Sequence, residues 1–163
     1  DPASGRVAAC HAGWRGVAGG ILLEAIRLLE EAGSNRADLL VALGPAVSGA
    51  HYQVETVVAE QVAQSLPLGG DGSTTPEALV ELERCGALLP DPEPGRHRLD
   101  IRAATRRQLE LAGITGERIA VCPLCTVAEP LLFHSWRRDQ VKAVQWSGIV
   151  SQQADLTART DPG

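Results

Sequence analysis

The sequence predicts an α/β domain with mixed sheets, a sandwich rather than a doubly wound parallel fold. Short apolar runs end at glycine, proline or cysteine near residues 6–11, 39–43 and 119–121. Stretches with apolar residues at helical spacing lie at 17–32, 55–66 and 101–112. The two kinds of segment intermix without the clean alternation of a wound parallel sheet. A chain of 163 residues suits one domain, placed at residues 1–151 and followed by a polar tail at 152–163.

Taken in order, residues 1–5 read as a turn of the kind that joins two strands. Residues 6–11 read as the first strand, and 17–32 as one helix. In that helix Ile21, Ala25, Leu28 and Ala32 share a face, and Gly33 stands at the C-cap. Residues 39–43 are wholly apolar, which predicts a buried strand that stops at Gly44-Pro45. A second helix over 55–66 puts Val58 and Val62 on one face. Residues 67–98 hold half of the prolines and predict a surface excursion, with a short helix within residues 76–84. Leu99-Asp100 opens a third helix over 101–112, closed by Gly113, with Arg102, Arg106 and Arg107 along one exposed side. Residues 119–121 form a short strand, and 133–138 and 143–151 a final strand pair.

The charge is uneven. Residues 1–95 carry 5 arginines against 13 acids, a balance of −8, and residues 96–163 carry 10 basic residues against 7 acids, or +3. The C-terminal part is the better attractor for an anionic substrate group, although two solvated faces of opposite sign account for the same counts. A net charge of −5 without a basic run argues against nucleic acid as a partner. No apolar run is long enough to span a membrane and no leader-like start is present, so a cytoplasmic protein with reduced thiols is expected.

The chemistry concentrates at Cys10-His11-Ala12-Gly13-Trp14-Arg15-Gly16, where the first strand turns into the first helix. Glycines let the backbone turn tightly and approach a ligand. His11 is a metal-capable imidazole, and Arg15 suits a phosphate or carboxylate at a helix start. A capping histidine beside a packed Trp14 is the alternative. Cys10, adjacent on a strand, points away from His11 and is a poor second ligand. His51, His97 and His134 share no ligand spacing with His11. Cys122 and Cys125 form a lone CxxC with no second pair and no following helix, which points to structural or site-lining thiols rather than zinc or redox chemistry. Arg137 and Arg138 follow Ser135-Trp136 on an expected strand, so one should face inward and the other outward. No Ser-His-Asp triad and no phosphate-binding glycine loop is recognisable.

His11-Ala12-Gly13-Trp14-Arg15-Gly16 resembles the signature of the polyphenol oxidase, or laccase-domain, proteins of the YfiH type. The resemblance continues in order. It runs through Gly44-Pro45-Ala46-Val47-Ser48-Gly49 with Tyr52-Gln53-Val54, then Leu99-Asp100-Ile101, then Cys125-Thr126, and then Phe133-His134-Ser135-Trp136-Arg137-Arg138-Asp139. It ends on Val144-Gln145-Trp146-Ser147-Gly148-Ile149, which is similar to cyanobacterial members.

The resemblance implies a layered α-β-β-α sandwich. It also implies a zinc-dependent purine nucleoside phosphorylase with an added adenosine deaminase activity, acting on a purine nucleoside and phosphate. The family's metal site is similar to two histidines and one cysteine, and His11 matches the last of these. The other two, an early histidine and a cysteine in an Asp-Cys-x-Pro strand, would precede Asp1, and Cys10 does not match the latter. The chain therefore resembles the C-terminal two-thirds of a member. On this reading His11 is the catalytic and metal residue, and Gly13, Arg15, Ser135 and Arg137 serve substrate or phosphate. An unpaired strand edge would also favour a homodimer. Two alternatives stand beside it: a non-catalytic piece of the same fold, and a copper-dependent polyphenol oxidase. Four scattered histidines argue against the latter.

Overall fold

The computed structural model describes residues 1–68 and 75–151, so the expected polar tail at 152–163 lies outside the described residues. In chain order the elements are α1 (Trp14–Ala18), α2 (Ile21–Glu31), β1 (Val41–Leu43), β2 (Gln53–Glu55), α3 (Thr56–Gln64), α4 (Thr75–Arg84), β3 (Leu88–Pro90), β4 (Arg96–Leu99), α5 (Ile101–Leu111), β5 (Ile119–Val121) and α6 (Trp136–Asp139). β1 and β5 pair in parallel, Val41 opposite Ile119 and Leu43 opposite Val121. β2, β4 and β3 form an antiparallel sheet with β4 in the middle. Parallel and antiparallel sheets among intermixed helices give the mixed α/β class that the sequence predicts.

α5 ties the two sheets together. Its Ile101 and Ala104 pack with Val17, Val54, Val62, Leu82, Leu88 and Leu99 in the larger core. One turn and more further on, Leu109 joins Ile26, Leu39, Ile114 and Ile119 beneath the parallel pair. The helix begins where Asp100 accepts hydrogen bonds from the N–H groups of Arg102 (3.0 Å) and Ala103 (3.1 Å), satisfying two of its free donors. The other Asp100 oxygen takes the Gly49 N–H at 3.4 Å, and a Cβ at Gly49 would stand 3.2 Å from that of Asp100. One carboxylate thus starts a helix and holds down the loop after β1. Asp100→Ala is expected to cost about 1–2 kcal/mol, read as a lower urea midpoint at unchanged slope. An unchanged midpoint would mean that water caps the helix equally well.

Several expectations need correction. Residues 6–11 are exposed and form no strand, because no neighbouring strand lies beside them among the described residues. The single helix over 17–32 is two, α1 and α2, separated at Gly19-Gly20, where Gly20 takes φ +70°. The 39–43 strand is half-buried rather than buried, with Leu40 62% exposed, since one face of the β1–β5 pair carries no cover among the described residues. The described part of the 67–98 stretch is no surface excursion. It supplies α4, β3 and β4, and buries Ala78, Leu82, Ala87 and Leu88. The arginines of α5 do not share an exposed side: Arg102 is buried and Arg107 is half-covered. Residues 133–138 and 143–151 form no strand pair. The first contains the start of α6, and the second is irregular and exposed.

Candidate active site

The site forms where the chain leaves the parallel pair. Beyond β1 and β5 the two strands stay together, with an Ala46–Cys125 bridge and a Thr126 N–H donated to the Ala46 carbonyl at 3.1 Å. The carboxyl ends of parallel strands are the usual place for a ligand in an open α/β sheet. The loop after β1 carries Ser48, His51 and Tyr52, and the loop after β5 carries Cys125 and leads to α6.

Two arginines meet the aromatic rings of this region. The Arg15 guanidinium lies 4.4 Å from the centre of the Trp14 ring. The Arg137 guanidinium lies 4.7 Å from the centre of the Tyr52 ring and donates to the Gln53 carbonyl at 3.2 Å. Burial pushes the Tyr52 hydroxyl up, and the positive charges of Arg137 and Arg15 both pull it back. Both cations therefore act on one phenol, although they stand at opposite ends of the sequence. Trp14 and Tyr52 rest on the larger core, which fixes the planes against which the guanidiniums lie. An arginine held flat on a ring presents its edge to an oxyanion.

The glycines of the first motif set the backbone around His11. A Cβ at Gly16 would come within 2.9 Å of the His11 carbonyl oxygen, so no side chain fits there without moving the chain. A Cβ at Gly13 would stand 3.2 Å from His11 Nε2, so the imidazole lies close over the turn. Gly13 is also the residue before α1 and accepts the Val17 N–H at 3.0 Å. α1 has only five residues, so the guanidinium of Arg15, more than any helix-end field, carries the case for an anion.

Ser135 is buried and caps α6, its hydroxyl accepting the Arg138 N–H at 3.4 Å. The two neighbouring arginines do divide, on a helical turn rather than on the expected strand. Arg138 pairs with Asp139 and donates to the carbonyls of Thr126, Val127 and Phe133, which ties the loop to α6. Arg137 is left for Tyr52 and the site.

Cys125 has a more specific setting than the CxxC suggests. Its sulfur takes hydrogen bonds from the Ser48 N–H and hydroxyl, each at 3.3 Å, and lies 3.7 Å from His51 Nδ1. Burial pushes the thiol up. The Ser48 hydroxyl, with the backbone N–H groups of Ser48, Ala128 and Val127, outweighs that and brings it down to about 6. The Val127 and Ala128 donors are local, but the two from Ser48 arrive from the loop after β1, and nothing near Cys125 in sequence signals those. Alkylation of Cys125 by iodoacetamide should rise with pH through a midpoint near 6, whereas an ordinary thiol shows one near 8.5. Folded-state ionisation below the unfolded value also means that this thiolate adds stability fully above the unfolded pKa. That contribution is lost as pH falls toward 6. An alkylation midpoint above 8 would show that the sulfur is not held as a thiolate.

Among the described residues no three His, Cys, Asp or Glu side chains come together to hold a metal ion. His11 belongs to no such group there, so the residues described do not fit the three-ligand zinc that the family resemblance implies.

The family model described as multi-copper polyphenol oxidoreductase laccase matches residues 1–152, and the chain belongs to that family. Among its relatives, purine nucleoside phosphorylase slr1573 of Synechocystis is 45% identical over 148 residues, covering 90% of this chain and 56% of the relative. Purine nucleoside phosphorylase YlmD of Bacillus subtilis is 34% identical over 154 residues, covering 94% and 50%. The chain spans about half the length of these relatives. Of solved structures, YlmD from Geobacillus stearothermophilus superposes with a TM-score of 0.66 at 32% identity, covering 80% of this chain and 43% of that one. YfiH from Bacillus licheniformis gives 0.66 at 33%, covering 80% and 44%.

Proposed function

We propose that this chain is part of a cytoplasmic purine nucleoside phosphorylase that cleaves adenosine, inosine or methylthioadenosine with phosphate. The observation that carries the reading is the pair of arginines, Arg15 and Arg137, set against Trp14 and Tyr52 at the ends of the parallel strands. The names of the relatives agree with it. In phosphorolysis a phosphate oxygen bonds to the anomeric carbon of the ribose as the bond to the purine nitrogen breaks. The products are ribose 1-phosphate and the free base, which takes up a proton. The enzyme must hold a doubly charged anion beside a sugar, and must do so before the purine leaves. Two guanidiniums resting on aromatic rings supply that hold. Gly13 leaves room for the approach, and Ser135 fixes the turn that presents Arg137.

The family's zinc, and the adenosine deamination that a metal-activated water would support, are the finer part of this proposal. His11 is the one residue here offered to that metal, and no step is derived through it. Phosphate-dependent release of hypoxanthine from inosine by the longer protein tests the reading. Release that does not depend on phosphate would make the enzyme a hydrolase instead. A second reading, that the chain by itself is a non-catalytic part of the fold, draws on the absence of a three-ligand metal cluster among the described residues.

A further inference from the structure

A cavity of about 460 Å³ opens on the other side of Asp100, lined by Cys85 at the end of α4, by Arg102, Arg106, Arg107 and Glu110 of α5, and by Cys122 after β5. It shares no lining residue with the Arg15–Arg137 surface. We propose that this cavity is a second binding site, which takes a phosphoryl group or a comparable doubly charged oxyanion.

Arg102 carries the argument. The residue is 7% exposed, yet its charge has no carboxylate partner among the described residues. Its Nη1 donates to the carbonyls of Cys122 and Leu124, the latter at 2.7 Å. Only Nη1 donates from this side chain; Nε and Nη2 are not among the fully buried unpaired atoms of the described residues, so they keep access to the cavity's solvent. Those two nitrogens form one edge of the guanidinium fork, the edge that meets two oxygens of a phosphate at once. A nearly buried guanidinium bonded only to neutral carbonyls is a cation in want of an anion.

The rest of the wall agrees. Arg102 and Arg106 are one helical turn apart and face the same way. Two carboxylates line the cavity, and both are committed. Asp100 accepts from the backbone N–H groups of Arg102, Ala103 and Gly49. Glu110 takes Arg106 Nε at 2.8 Å and Arg107 at 3.4 Å, and Arg107 is shared further with Glu81. Burial pushes the Cys85 thiol up, so it adds no negative charge at neutral pH. Three guanidiniums thus face a space much larger than one phosphate, which suits a phosphate monoester as well as the free ion.

Cys122 serves as a built-in reporter, since an anion in the cavity would cover it. The experiment is alkylation of Cys122 in the longer protein, followed by mass spectrometry, with inorganic phosphate or ribose 5-phosphate titrated in. Either anion should slow alkylation, and the apparent affinity should fall as salt is raised. Tighter protection by ribose 5-phosphate identifies a monoester site, and equal protection a site for the anion itself. Arg106→Gln should weaken protection about five-fold, and Glu110→Gln should strengthen it by a similar factor. Arg102→Gln should remove it, and because that change also removes the bonds to the Cys122 and Leu124 carbonyls, the two outer variants carry the test. Protection should persist in Arg15→Lys, which separates this cavity from the proposed phosphorolysis site. Alkylation indifferent to both anions, or protection unchanged in Arg106→Gln and Glu110→Gln, would overturn the proposal.

Discussion

Phosphorolysis by the longer protein should fall about a hundredfold in kcat/KM for phosphate when Arg15 becomes alanine. That is the size expected when a charged hydrogen-bonding partner worth ~3 kcal/mol is removed from an anion. The guanidinium lies over the Trp14 ring, 4.4 Å from its centre, which favours one placement of the side chain. Arg15→Lys keeps the positive charge but loses the planar fork and the stacked hold. The lysine variant should therefore show a raised KM for phosphate and a smaller loss in kcat, with KM for inosine little changed. Trp14→Ala should resemble Arg15→Lys, because it frees the arginine without removing it. If Arg15→Ala raises KM for inosine and leaves that for phosphate alone, the residue serves the nucleoside and Arg137 becomes the better candidate for the anion.

Much of the fold was legible where the signal is local. Asp100, the helical spacing after it and Gly113 mark α5 to within a residue, because a cap and a C-terminal glycine are properties of a few neighbouring residues. Strands were harder, since a ladder needs a partner. Residues 6–11 have the composition of a strand and find no neighbour among the described residues, whereas the arginine-rich β4 has no such composition and is held between β2 and β3. The same limit applies at the site. Arg15 and Gly13 stand in one motif and could be picked out by type. The thiolate character of Cys125 depends in part on Ser48, and the setting of the buried Arg102 fork depends on the Cys122 and Leu124 carbonyls. Those partners lie far away in sequence, so only folding reveals them. The longest misreading, the 67–98 stretch, has the same cause. Its prolines and glycines mark turns, and say nothing about whether the strands between them are covered.

The 163-residue chain taken alone should bind zinc weakly and show no phosphorolysis, while a protein of the relatives' full length should do both. On the family resemblance only His11 would match the expected ligand set, and no three-donor cluster is present among the described residues. One imidazole completed by waters does not hold a catalytic zinc. The exposed apolar residues lead to a second expectation. The Ser151 hydroxyl donates to the Gly5 carbonyl at 2.6 Å, which brings the run that holds Trp146, Ile149 and Val150 toward the start of the 6–11 segment. Trp146 is 92% exposed, and a cluster of this kind favours association. The chain alone should therefore self-associate with rising concentration, and its tryptophan emission should shift to shorter wavelength as it does so. In the full-length protein that emission should already be blue-shifted and independent of concentration. His11→Ala there should abolish zinc binding and leave the urea midpoint nearly unchanged, because the side chain is exposed and contributes little packing. Zinc titration and inosine turnover on the 163-residue chain decide the matter. Tight one-to-one binding with turnover would mean that Cys10, His51, His97 or His134 completes the site, and that the half of the family fold seen here is sufficient for its chemistry.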